Sequence, residues 1–366
     1  MPPLAAPLAP AYLEANFGDI MRIALHYFRW AFLFTLVGLV LSFGLGWVYG
    51  PGLGGALSFL MIAAVLAVLE ISLSFDNAIV NANKLEQMTP EWQHRFLTWG
   101  IVIAVFGMRV LFPLAIVVLA AGIGPWQALV LAATQPAEYA RIIGEAHIAI
   151  AGFGGAFLMM VALNYFIDEG KEVDWIAALE RRLRACASIR GLEIGVVLAL
   201  VMIFAVALPQ QEAGRFIFAA CAGLVTFLGV EILGQVLDRA SLSGDAAKGG
   251  LGAFLYLEVL DASFSFDGVI GAFALTQNLF LIAIGLGIGA FYVRSMTIML
   301  VERQTLSEFR YLEHGAFWSI LVLSGVMFAQ TLWHIPEFVT GLVGAALIGL
   351  SLMSSLRFNR LACAAK

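Results

Sequence analysis

Charge is scarce in this sequence: 20 basic and 25 acidic residues make up 12% of 366 positions, about half the roughly 25% that a soluble domain carries. That polar surface cannot coat a chain that is 61% hydrophobic with mean hydropathy +0.94. A water-soluble globule is excluded, and a lipid bilayer is required. The acids outnumber the bases, giving a net charge of −5, so there is no basic face for nucleic acid. Cysteine is nearly missing. Cys186, Cys221 and Cys363 are far apart and form neither a disulfide framework nor a zinc cluster. No GxxxxGK[ST] string cradles a nucleotide phosphate, and no HExxH string or Ser/His/Asp pairing suggests hydrolysis. An enzyme is not expected. Residues 1–15 lack the cationic start of a cleaved signal peptide, so the chain is expected to enter the membrane through its own spans.

What is abundant is apolar sequence in lengths of about 20 residues, enough to cross a bilayer. Ten such segments are expected to span it: 30–49, 56–80, 97–122, 147–168, 192–209, 214–236, 251–276, 278–300, 315–333 and 336–356. The apolar piece 126–133 is too short to cross and reads as re-entrant or interfacial. With the N-terminus inside, 16 of the 20 cationic residues fall on the cytoplasmic side and only Arg141 and Arg215 fall outside; Arg109 and Arg294 lie within spans. That bias follows the positive-inside rule and predicts both termini in the cytoplasm. Residues 1–29 form an amphipathic N-terminal segment, and 30–366 a single transmembrane domain. Between the fourth and fifth spans, residues 168–191 place Trp175, Ile176, Leu179 and Leu183 at helical spacing among charges. This reads as a cytoplasmic amphipathic helix on the inner leaflet, with docking of a partner as the alternative.

The chain repeats itself. EISLSFDNAIV at 70–80 aligns without a gap to DASFSFDGVIG at 261–271. Glu70 matches Asp261, Ser72 matches Ser263, Ser74 matches Ser265, Asp76 matches Asp267, and Asn77 faces Gly268. Each motif is followed in the next span by an arginine, Arg109 or Arg294, and then by an acid and a histidine: Glu145 with His147, Glu313 with His314. Repeat A covers 56–168 and repeat B covers 251–356. Beginning five spans apart, they run in opposite directions across the membrane, as in many secondary transporters. The fold class is an all-α integral membrane protein of about ten transmembrane helices with an inverted-topology repeat. Acids six residues apart stand about 240° apart on a regular helix, so both motif helices are expected to be interrupted.

Buried charge needs a reason. A carboxylate at the bilayer centre costs at least ~2.5–3.5 kcal/mol, so Glu70, Asp76, Asp261 and Asp267 must be protonated, paired with arginine, or holding a cation. Arg109 and Arg294 can neutralise two of the four. One divalent ion or proton uptake balances the rest. Carboxylates, the hydroxyls of Ser72, Ser74, Ser263 and Ser265, and the Asn77 amide are hard oxygen ligands, suited to Mn²⁺, Mg²⁺ or Ca²⁺. His147, His314, Glu231 and Glu258 are candidate relay groups; structural roles, or simple local hydrogen bonding, account for them as well.

At these motifs the sequence resembles the TerC family of bacterial membrane proteins, within the LysE-like transporter superfamily. Members carry an acid followed by Asp-Asn in one repeat and an acid followed by a Ser-x-Asp segment in the other. Here those are Glu70 with Asp76-Asn77, and Asp261 with Asp267. The longer SFDN and SFDG motifs and the EAHIAIAGFGG segment place the resemblance with an uncharacterised branch of the family, over most of 56–357. The chain departs from the usual pattern at Gly268, where a serine often follows the second Asp, and by an added leading span. The resemblance implies a multi-pass protein of the bacterial inner membrane that exports a divalent metal, most plausibly Mn²⁺, through Glu70, Asp76, Asn77, Asp261 and Asp267. Export of a small amino acid or cationic metabolite is the first alternative. A non-transporting membrane factor for metalloprotein loading is the second. A homo-oligomer is left open.

Overall fold

The computed structural model describes residues 17–50, 52–168, 171, 173–189, 191–240, 250–333 and 335–364, with some side chains inside helices left out of the description. Among the described residues every regular element is helical. In chain order they are α1 (Phe17–Tyr49), α2 (Gly52–Leu73), α3 (Phe75–Glu86), α4 (Pro90–Val102), a π-helix (Ile103–Leu111), α5 (Phe112–Ala121), α6 (Pro125–Thr134), α7 (Pro136–Glu145), α8 (His147–Phe166) and α9 (Ala177–Ala185). There follow α10 (Leu192–Ala207), α11 (Gln210–Ala240), α12 (Leu251–Leu275), α13 (Leu279–Glu302), α14 (Thr305–Glu308), α15 (Leu312–Gln330) and α16 (Glu337–Ala364).

Seven helices are long and apolar enough to cross a membrane, namely those containing Met21–Tyr49, Gly52–Leu73, His147–Phe166, Gln210–Gly234, Leu279–Glu302, Leu312–Gln330 and Val339–Leu361. This is a multi-pass membrane protein. The expected third and fifth spans correspond to shorter apolar stretches, Phe106–Leu119 and Leu192–Ala207. The expected seventh is α12, whose 25 residues include Glu258, Asp261 and Asp267. The first helix runs through position 29 without a break. The short piece at 126–133 lies in α6, which forms a hairpin with α7 against α5.

The interior is occupied by helices that are apolar on every side, as a buried helix must be. α8 and α13 are buried along most of their length, whereas α1, α2 and α16 turn apolar faces outward. α2 packs on α13, and α12 packs on α4 and the π-helix. The leading helix of each repeat therefore lies against the second helix of the other. Small residues let the backbones approach, as usual between helices in lipid. At the crossing of α8 and α11, a β-carbon on Gly223 would run into the Phe153 carbonyl. Backbone cannot swing aside as a side-chain tip can. Gly223→Ala is expected to destabilise the fold by ~1–3 kcal/mol, the usual range for overpacking, read as a lower melting temperature in detergent. An unchanged melting temperature would show that α8 and α11 have slack.

The expected interruption of both motif helices holds for only one of them. α2 ends at Leu73, Ser74 turns at φ −103°, ψ 17°, and α3 begins at Phe75. α12 continues unbroken from Leu251 to Leu275.

Candidate functional site

The break at Ser74 is local and economical. Its N–H still bonds the Glu70 carbonyl at 3.0 Å, and its own carbonyl receives the Ala78 N–H at 3.2 Å. The Asn77 N–H, however, is donated to the Asp76 carboxylate at 2.8 Å. A short polar side chain that competes for backbone donors is what unwinds a helix here. Asp76 thereby sits in the first turn of α3, where the helix dipole favours a negative charge. Its other oxygen accepts from the Ser319 hydroxyl on α15 at 2.8 Å.

One turn before the break, Glu70 is buried and ion-paired with Arg109. The Ser74 hydroxyl also donates to Glu70, at 3.1 Å. Arg109 is delivered by the π-helix, and its Nε donates to the Leu286 carbonyl of α13 at 3.1 Å. Two glycines make room for Glu70. A β-carbon on Gly289 would overlap its stem, and one on Gly268 would stand 3.1 Å from Oε2. A larger residue at Gly268 would press on the paired carboxylate.

The second motif meets the first through Asp261. The Asn81 amide, one helical turn beyond Asn77 on α3, donates to the Asp261 carboxylate at 2.7 Å across 180 residues of sequence. Asp261, Asn77, Asn81, Glu70, Ser74, Ser265, Arg109 and Arg294 line one small chamber. A second chamber shares the Glu70–Ser74 wall and is completed by Asp76, Gly268, Ser319 and Thr340. Each has a volume of about 20 Å³, room for about one water molecule.

Beside the first chamber, Glu258 and Arg294 are buried, and both Glu258 oxygens and the Arg294 Nε and Nη2 have no hydrogen-bond partner among the described residues. The guanidinium lies 3.9 Å from the centre of the Phe96 ring. Both polar groups converge on Gly100, where a β-carbon would come within 2.6 Å of Nη2 and 2.9 Å of a Glu258 oxygen.

Ser72 is exposed at the edge of the second chamber, and its hydroxyl bonds the Val68 carbonyl at 2.8 Å. Other expected residues lie elsewhere: Ser263 bonds the Val259 carbonyl at 3.0 Å. His147 opens α8, away from both chambers. Glu231 lines a separate, larger cavity. The side chain of Asp267, and with it the expected approach of Asp267 to Asp76, lies outside the described residues. No group of three or more His, Cys, Asp or Glu side chains among the described residues forms a metal-binding cluster.

His314 does something sequence reasoning missed. Its Nδ1 lies 2.9 Å from Glu180, which is fully buried on the linker helix α9. Glu180 also accepts from Lys171 Nζ at 2.7 Å, from Trp318 Nε1 at 2.9 Å, and from the backbone N–H groups of Trp175 and Ile176. The linker glutamate thus points inward, while the apolar side chains of Ile176 and Leu179 are exposed on the outer side. Burial alone would raise the Glu180 carboxyl, but the donors from His314, Lys171 and Trp318 outweigh it and hold the group far below the ordinary carboxylate range. Asn81 and Ser319 were missed as well. Asn81 carries a weak signal, four residues after Asn77 and so on the same helical face; Ser319 carries none.

A family model described as "Protein of unknown function (DUF475)" matches residues 75–362, more than three quarters of the chain. The match starts at the first residue of α3, so Glu70 lies before it. No curated protein and no solved structure matches.

Proposed function

The chain belongs to the DUF475 family, and from its own geometry we propose that it is a TerC-like secondary transporter exporting a divalent metal cation, with Mn²⁺ as the leading candidate. The observation that carries this is the Asn81–Asp261 hydrogen bond, which joins the broken helix of one motif to the second motif around a buried chamber. Discontinuous helices meeting at the interface of two repeats are how secondary transporters build ion sites. The donors there are oxygens of carboxylate, amide and hydroxyl groups, the chemistry that hard divalent ions prefer. Among the described residues, Glu70, Asp76, Glu258 and Asp261 are buried against two buried guanidiniums, Arg109 and Arg294. A divalent cargo would neutralise that imbalance. Ten spans, cytoplasmic termini and an inner-membrane location complete the reading.

Asp76→Asn and Asp261→Asn keep size and hydrogen bonding but remove charge from this region. Cells expressing the wild type are expected to hold less Mn²⁺ than control cells, and cells with either variant, at matched membrane abundance, to lose most of that difference. If both variants export as well as the wild type, these aspartates are structural and the proposal fails. A second reading is favoured by Arg294: a guanidinium with unpartnered donors beside Asp261 suits the carboxylate and ammonium of a small amino acid. Under it, the variants would alter amino-acid efflux and leave Mn²⁺ untouched.

A further inference from the structure

A third cavity, of about 380 Å³, lies where α3, α8 and α11 end and α12 begins. On the distribution of cationic residues this is the cytoplasmic side. Its wall includes Asn83 and Lys84 of α3, Asn164 and Asp168 at the end of α8, Glu231 of α11 and Tyr256 of α12. Size separates it from the central chambers. At ~30 Å³ per water it holds about a dozen, enough for a divalent ion with six waters around it. The central chambers, at about 20 Å³ each, admit an ion only after it has shed that shell. Small divalent ions give up water reluctantly, so a site that holds the ion with its shell intact is needed before a site that strips it.

The wall suits that task. Amides, carboxylates and a phenol can all bond to coordinated water without touching the metal. The cavity already seats one cation of its own, since the Lys84 ammonium lies 5.5 Å from the centre of the Tyr256 ring. Carboxylates outnumber that ammonium, with Asp168 and Glu231 both on the wall. The route onward is short. Seven residues separate Asn77 from Lys84 on α3, a rise of ~10 Å. Val80 lines this cavity while its neighbour Asn81 donates to Asp261.

We propose that this cavity is a cytoplasmic antechamber that captures the cargo cation in hydrated form. Glu231 supplies the charge, and the Lys84 ammonium is a tethered occupant that the cargo displaces. This rests on the transport reading above and adds where, and in what form, the cation is first held. The probe is hexaamminecobalt(III), whose ligands do not exchange, so that it imitates a hydrated ion that can never be stripped. Its binding to the purified full chain in detergent is measured by titration calorimetry, without transport. The wild type is expected to bind it, Glu231→Gln to bind at least tenfold more weakly, and Lys84→Met severalfold more tightly. Asp261→Asn should bind within twofold of wild type. Glu302→Gln, which removes an exposed acid at the end of α13, should do the same. The antechamber is refuted if the wild type does not bind, if Glu231→Gln binds as tightly as the wild type, or if Lys84→Met binds no better. Should the probe bind with the expected pattern while Asp76→Asn and Asp261→Asn leave Mn²⁺ export intact, the central aspartate site falls and the antechamber stands. Should those variants abolish export while Glu231→Gln binds the probe normally, the antechamber alone falls.

Discussion

Arg109→Gln is expected to lower the stability of the folded chain by ~3–5 kcal/mol, the range for removing one partner of a buried ion pair. Glu70 and Arg109 are both almost wholly buried, and their pairing joins α2 to the π-helix, while the Arg109 Nε ties that helix to α13. Removing the guanidinium leaves a buried carboxylate without its counter-charge, with the Ser74 hydroxyl as its remaining hydrogen-bond donor among the described residues. The measurement is the folded, monodisperse fraction on detergent size-exclusion chromatography, with the melting temperature of what survives. Glu70→Gln combined with Arg109→Gln should recover a large part of the loss, because two amides need no counter-charge and are cheaper to bury than one orphaned ion. Equal damage in the single and double variants would mean that the Leu286 contact, and not the charge pair, matters.

Glu180→Ala should produce the second large effect. Five donors converge on this carboxylate, among them the nearly buried Lys171 ammonium, and deleting it strands them together. A cost of ~3 kcal/mol corresponds to more than a hundredfold rise in the population of detached linker. Limited proteolysis between 168 and 191 should accelerate accordingly. Because the folded carboxyl is held far below its ordinary value, its contribution is complete above the unfolded glutamate pKa. It is lost only as pH falls through the folded value, so the effect should be constant across neutral pH. A cleavage rate equal to wild type would show that Glu180 does not anchor the linker.

These two residues mark how far the sequence could be read. The all-α membrane class followed from scarce charge and apolar runs. The repeat pointed to two acidic motifs that need partners, and the structure joins Asp261 of the second to Asn81, one residue past the first. Which partners they take was hidden. Nothing local distinguishes Ser319, the Asp76 partner, from any other serine in an apolar run. Nothing in the sequence singles out Glu180, because its donors come from α15 and from the chain before α9, which only tertiary folding brings there. Near-identical motifs also concealed different backbones. Asp76 captures the N–H of Asn77 beside the break at Ser74, whereas the second motif runs through α12 without a break.

The π-helix at Ile103–Leu111 carries one more residue per turn than an α-helix, so each residue there advances by a smaller angle around the axis. The segment works as a phase shifter: it rotates α5 relative to α4 without a loop or a proline inside it. Its counterpart α13 carries Arg294 on an ordinary α-helix. Two arginines of matching position in a duplicated pattern are thereby dialled to different headings. One is bolted to Glu70 and the Leu286 carbonyl; the other rests on the Phe96 ring with donors still to give. Two like arginines of the repeated pattern thus differ in company: one is held by a carboxylate, the other by an aromatic ring.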